Sequence, residues 1–161
     1  MSEGRVEAIY IGPVEAGPLG EVPEVEAIAG HGLVGDRQYR ENPPPDEESG
    51  RDITLIEVEA LQALKAEHGI ELGPGESRRQ VHTSGIRLNP LVGKRFLVGE
   101  VECIGVELCE PCNHLQSLTP PGVLRGLVHR GGLRADILSG GTIRPGDPVR
   151  EVPDRAEAPA S

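Results

Sequence analysis

Glycine and proline, present 22 and 15 times, interrupt this 161-residue chain so often that a helical bundle is excluded and a chain of short strands and turns is favoured. Alternating apolar and polar residues over Arg5 to Ile11 predict a first strand, which Gly12-Pro13 ends, and Val22 to Ala29 predicts a second. Three glycines within Gly30 to Gly35 mark a loop with unusual backbone angles or a close approach. Glu41 to Gly50, with three consecutive prolines and three consecutive acids, reads as a solvated loop. Further strands are predicted over Arg51 to Ile56, Arg79 to Thr83, Lys94 to Val98, Val101 to Leu108, Leu133 to Ser139 and Thr142 to Glu151, with a hairpin turn at Gly99-Glu100 and turns at Gly140-Gly141 and Pro145-Gly146-Asp147. Val58, Leu61 and Leu64 share one face of a helix over Glu57 to His68, which Gly69 stops. Short helices are also expected over Asn113 to Leu118 and around Leu124, Leu127 and Val128. Many short strands and few helices, without a regular strand-helix alternation, predict a mostly antiparallel β-barrel.

The length suits one domain over residues 1–152, followed by a disordered tail over residues 153–161. Aliphatic side chains must fill its core, because the chain has one Phe, two Tyr and no Trp. No apolar run is long enough to span a membrane, and the N-terminus lacks the layout of a secretory signal, so a cytoplasmic protein without a membrane partner is expected. The net charge of −10 is unevenly distributed. Residues 1 to 75 carry 16 acidic against 5 basic side chains, whereas residues 76 to 150 carry 7 against 10. All but two of the basic residues are Arg, whose planar fork suits phosphate and carboxylate. The acidic total and the scarcity of stacking rings argue against nucleic acid as a partner.

Two of the three cysteines lie together in Leu108-Cys109-Glu110-Pro111-Cys112-Asn113-His114, within the cationic part of the chain. A thiolate is the nucleophilic and metal-binding form of cysteine, and the start of a helix lowers its pKa. Cys112 stands where the helix beginning at Asn113 would place that effect. Cys103, inside a strand pattern, reads as a small buried hydrophobe. Three cysteines do not form a disulfide framework, which favours a reducing compartment.

Several separated segments together resemble the MOSC family, named for the C-terminal domain of molybdenum cofactor sulfurase. They are Gly32-Leu33-Val34-Gly35-Asp36-Arg37, the strand and helix from Arg51 to Leu61, Arg78 to Ile86, Leu91 to Phe96, Cys109-Glu110-Pro111-Cys112, and Arg130 to Ala135 through Gly146-Asp147. The resemblance implies a β-barrel of the pyruvate kinase type with a few short peripheral helices and a pocket for the molybdenum cofactor, a phosphorylated pterin dithiolene. It also implies that the Cys112 thiolate ligates molybdenum and acts as the catalytic cysteine, that Arg37 and Arg78 hold the phosphate and pterin, and that Arg134 serves the same anionic pocket. Gln80 falls among the cofactor-binding positions, where relatives often have Asn.

On this resemblance the leading expectation is a molybdenum-dependent reductase of small N-hydroxylated substrates, supplied with electrons by a separate protein. A second is a sulfur carrier with a persulfide on Cys112, loaded by a cysteine desulfurase and resolved by Cys109. A third is a structural zinc site formed by Cys103, Cys109, Cys112 and His114. The chain has no room for a pyridoxal phosphate domain, so that cofactor is not expected here. His31, His82 and His129 are weighed as proton-transfer groups.

Overall fold

The computed structural model describes residues 3–12, 20–36, 39–43, 50–69, 79–108 and 132–152, apart from the side chains of residues 64, 67 and 68. In chain order the elements are β1 (Glu3–Ile11), β2 (Gly20–Glu21), β3 (Val25–Ile28), β4 (Gly32–Leu33), β5 (Ile53–Glu57), α1 (Val58–His68), β6 (Val81–Ser84), a 3-10 turn (Asn89–Leu91), β7 (Arg95–Val98), β8 (Val101–Leu108), β9 (Leu133–Ser139), β10 (Gly141–Ile143) and β11 (Pro148–Glu151). The helices expected over Asn113 to Leu118 and around Leu124 lie outside the described residues, as does the expected tail.

Strands β11, β7, β8, β9, β5, β6 and β1 pair in that order, and β11 pairs again with β1 to close a seven-stranded barrel. Closure leaves no unpaired barrel edge. Every pair in the barrel is antiparallel except β5–β6. Parallel neighbours cannot be joined by a tight hairpin, and α1 lies in the connection between them. Gly69, at φ 68°, ends this helix in the left-handed conformation that glycine adopts at little cost, and its amide donates to the Lys65 carbonyl.

Alternation along the strands separates the two faces of the barrel wall. In β9, Leu133, Ala135 and Ile137 are buried while Arg134, Asp136 and Leu138 are less so. The inward set joins Ile9, Leu55, Val81, Phe96, Val98 and Cys103 in one core. Val25, Ala27, Leu33 and Ile143 extend that core from the small sheet β10-β3-β4. The stretch expected over Thr142 to Glu151 forms two strands, divided at the expected turn Pro145-Gly146-Asp147. The turn at residues 144–147 separates β10, which pairs with β3, from β11, which returns to the barrel. On the outer face, Ile56 alternates with Leu55 and is fully buried, as α1 packs against β5 and β6. Ala60 is buried among the described side chains of the helix, while Val58 and Leu61 are half-buried. Among the described residues, no helix is long and apolar enough to cross a membrane.

One row of cross-strand partners fixes where the remaining chain meets the barrel. Leu108 faces Leu133, Leu133 faces Leu55, Leu55 faces Val81, and Val81 faces Ile9. The row crosses five adjacent strands, so Leu108 and Val81 are three strand spacings apart, roughly 14 Å. Gly132 brings β9 into the row. A Cβ there would collide with the Leu55 carbonyl oxygen, and its φ of 109° is unfavourable for residues with side chains.

Candidate functional site

The inward side chains of this row are apolar, and the outward ones beside it are polar. Arg134 is the cross-strand partner of both Glu107 and Thr54. Its Nη1 donates to Glu107 Oε1 at 3.0 Å and its Nε to the Gly50 carbonyl at 3.3 Å. The Gly50 amide donates to Asp136 Oδ1 at 2.8 Å, so two outward side chains of β9 clamp Gly50 on the approach to β5. The Thr54 amide donates to Gln80 Oε1 at 2.9 Å, and the Gln80 amide donates to Thr54 Oγ1 at 3.1 Å. Gln80 Nε2 then donates to Asp36 Oδ2 at 2.6 Å, while Asp36 Oδ1 accepts from the Gly12 amide at 3.0 Å. A continuous outer-face row, Glu107–Arg134–Thr54–Gln80–Asp36, thus parallels the apolar row inside.

The orientation of the Gln80 amide follows from its partners. A peptide N–H can only donate and a carboxylate can only accept, so the oxygen must face Thr54 and the nitrogen must face Asp36. Asp36 and Gln80 are 5% and 2% exposed, so these bonds are made away from water. Asp36 is also fixed through its backbone, its amide donating to the Leu33 carbonyl and its carbonyl accepting from the Tyr39 amide. Nearby, Asp52 accepts from Arg40 Nη2 at 2.6 Å and from the Ile137 amide at 2.9 Å, with side-chain exposures of 19% for Arg40 and 4% for Asp52. This buried ion pair ties the chain after Tyr39 to β5 and β9.

Of the site residues expected from the sequence, Gln80 and Arg134 are described, and the structure brings them to opposite sides of Thr54. Gln80 engages both ends of its side-chain amide within the protein. Arg134 is 30% exposed and shares its charge with Glu107. Arg37, Arg78 and Cys112 lie outside the described residues, together with Cys109, His114 and His129. Their neighbours in sequence lie along the row: Asp36 precedes Arg37, Gln80 follows Arg78 by two residues, and residues 109–131 join Leu108 to Gly132.

Cys103 is fully buried between strands β7 and β9, opposite Phe96 and Ile137, and burial pushes its thiol well above the ordinary range. It points into the core, away from the outer row, which removes one ligand from the four-residue zinc set. No group of three or more His, Cys, Asp or Glu suited to a metal ion exists among the described residues. His82 is buried against Tyr10, with ring centroids 4.7 Å apart, and desolvation lowers its pKa to about 4, against which a bond to the Arg79 backbone acts. It is therefore neutral at pH 7 and packed. His31 donates from Nδ1 to the Arg40 carbonyl at 2.6 Å and stacks on Tyr39, which accounts for it structurally. Asp36 and Thr54 carry no functional expectation from the sequence. The signals for them are an acid in an otherwise apolar Gly-Leu-Val-Gly-Asp run and a hydroxyl between Ile53 and Leu55.

A second concavity, of about 410 Å³, lies where β1 begins and β6 ends, lined by Glu3, Gly4, Arg5, Ser84, Gly85 and Pro148 among others. Arg5 is paired locally: its Nε donates to Glu7 Oε2 at 2.7 Å, and Ser84 Oγ donates to the same oxygen. The Ser84 bond and then Arg5 hold the Glu7 carboxyl below its usual range.

The chain matches the family description "MOSC domain" over residues 35–150. Its fold is similar to that of the YuaD protein from Bacillus subtilis, at 17% identity and a TM-score of 0.75, covering 92% of this chain and 97% of that one. It is also similar to YiiM from Geobacillus stearothermophilus (15% identity, TM-score 0.70, 93% of this chain and 75% of that one) and YiiM from Escherichia coli (17%, 0.66, 96% and 71%). At these identities the likeness establishes the fold. No curated protein matches the chain.

Proposed function

Since the chain belongs to the MOSC family, we propose that it binds the molybdenum cofactor on the outer face of its barrel and reduces small N-hydroxylated compounds with electrons from a separate protein. The observation that carries this reading is the row from Leu108 to Val81. Leu108, from which the chain leads to Cys112, shares this stretch of wall with Val81 and Gln80, which follow Arg78, and Gln80 in turn holds Asp36, which precedes Arg37.

The chemistry of these donors fits the group. A thiolate is a soft ligand suited to such a metal, and guanidinium forks suit a terminal phosphate. Cys112 would supply the thiolate, and Arg37 and Arg78 would hold the phosphate and pterin. Arg134, its charge shared with Glu107, would add a directional donor with little net charge. Gln80 fits differently, because its amide is engaged by Asp36 and Thr54. When bound, the cofactor supplies an oxygen-atom acceptor for N–O cleavage, while the protein orients both partners. A reducing, cytoplasmic setting keeps the Cys112 thiol available.

The reading is tested on protein made in a host that synthesises the cofactor. It predicts molybdenum near one per chain and reduction of an N-hydroxylated amidine by a chemical electron donor, both lost in Cys112→Ala. Protein without molybdenum whose intact mass gains sulfur at Cys112 from a cysteine desulfurase would decide for the persulfide carrier instead.

A further inference from the structure

Resting on the cofactor-site reading above, we propose that Asp36 is a positioning residue. With Gln80 it forms a clasp that fixes the two backbone segments leading to Arg37 and Arg78 relative to each other.

The carboxylate joins three places distant in sequence. It accepts from the Gly12 amide at the end of β1 and from Gln80 Nε2 at the entry to β6, while its own backbone is held by Leu33 and Tyr39. Gln80 is held as firmly. Its backbone carbonyl accepts from the Tyr10 amide at 2.7 Å, and both its backbone amide and its Oε1 engage Thr54. A buried carboxylate is a poor way to gain stability, since apolar side chains of similar size commonly serve as well. What it offers is direction, because each oxygen accepts along fixed lines. One peptide unit separates Asp36 from Arg37, about 3.8 Å between Cα atoms, so a shift of the clasp is passed on almost undiminished. Two guanidinium groups serving one phosphate need that register, since a misplacement of about 1 Å weakens such contacts strongly.

The side-chain length at position 80 matters for the same reason. Gln80 spans from Thr54 to Asp36, and the pair can be exchanged chemically. In Asp36→Asn the new amide nitrogen meets the Gln80 nitrogen, and turning either amide over only moves the conflict to Gly12 or Thr54. In Gln80→Glu two carboxylates meet. In the double variant D36N/Q80E, the amide introduced at position 36 donates to the carboxylate introduced at position 80 and accepts from Gly12. That carboxylate accepts in turn from Thr54, so every side-chain bond of the clasp is restored with net charge unchanged.

The experiment measures inorganic phosphate affinity by calorimetry and amide exchange over residues 33–40 and 78–82 in the wild type, both single variants and the exchanged pair. Each single variant should bind phosphate about tenfold more weakly and exchange faster in both segments together. D36N/Q80E should recover both properties to within about threefold of wild type. Should the single variants fail to fold, the exchanged pair decides alone, a folded protein with near-wild-type affinity supporting the clasp. Recovery of exchange and Tm without recovery of phosphate affinity would reduce Asp36 to a structural role and overturn the proposal, as would single variants with unchanged affinity. If the wild type binds no phosphate, the phosphate-site reading fails separately. Exchange then decides the clasp: coupled loosening of both segments with recovery in the pair supports it, and uncoupled behaviour overturns it.

Discussion

The Asp36–Gln80 end of the outer row and the concavity beside Arg5 contain the same kinds of group, a carboxylate with hydrogen-bond donors converging on it, yet they differ in what those groups do. Asp36 and Gln80 are 5% and 2% exposed, whereas the Arg5 and Glu7 side chains are 67% and 33% exposed. Water competes for every bond in the second region and for almost none in the first. An unmade bond is therefore costly at Asp36 and nearly neutral at Arg5. At the concavity of about 410 Å³ Arg5 is paired with Glu7 on the surface, while the wall with the buried polar row adjoins the segments proposed to carry the chemistry.

The contrast is tested hardest at Arg40, whose guanidinium sits on the nearly inaccessible Asp52. Arg40→Ala leaves that carboxylate buried with its charge uncompensated, the Ile137 amide still donating to it, and should cost about 3–5 kcal/mol, read by urea denaturation. A loss under about 1 kcal/mol would show the buried and exposed pairs to be equivalent.

A comparable effect is expected from pH through His82. Its pKa is about 4 in the folded protein and near 6.5 when unfolded, so between these values the unfolded chain binds a proton that the folded chain does not. Stability should fall as pH drops through that window, by about 3 kcal/mol in total for this group. His82→Gln should flatten the slope between pH 6.5 and 4 relative to wild type. Parallel pH profiles for the two proteins would place the ring in water. At the small end, Arg5→Ala should change stability by no more than about 0.5 kcal/mol, and a loss several times larger would erase the distinction between the two regions.

Much of the barrel was legible because its strands carry a clean alternation. Leu133 to Ser139 and Val101 to Leu108 match the observed strands to the residue, and Gly69 ends α1 as expected. Period and turn residues are local signals, and pairing is not. Nothing local in Ile53 to Glu57 says that β5 runs parallel to β6, since that depends on where the crossover through α1 delivers the chain. Likewise Pro145-Gly146-Asp147 marks a turn within Thr142 to Glu151, but nothing local says that this turn sends β10 to the small sheet and β11 to the barrel. The site was legible as residue types and less so as roles. Gln80 could be singled out as a candidate from the motif around it, but its engagement with Asp36 depends on a contact 44 residues away in sequence. Asp36 was legible only as part of the Gly-Leu-Val-Gly-Asp-Arg motif, because its role as a partner depends on the same distant contact. The burial of Cys103, in contrast, was foreseeable from its place among alternating apolar residues.

The claim that the outer-face row borders the binding site is tested most directly by residue-resolved NMR of the protein titrated with inorganic phosphate. Amide shifts are expected to concentrate at Gly12, Asp36, Thr54, Gln80 and Gly132, with Glu3, Arg5, Ser84 and Gly85 unmoved. Shifts confined to the latter group, or spread evenly over both, would contradict it.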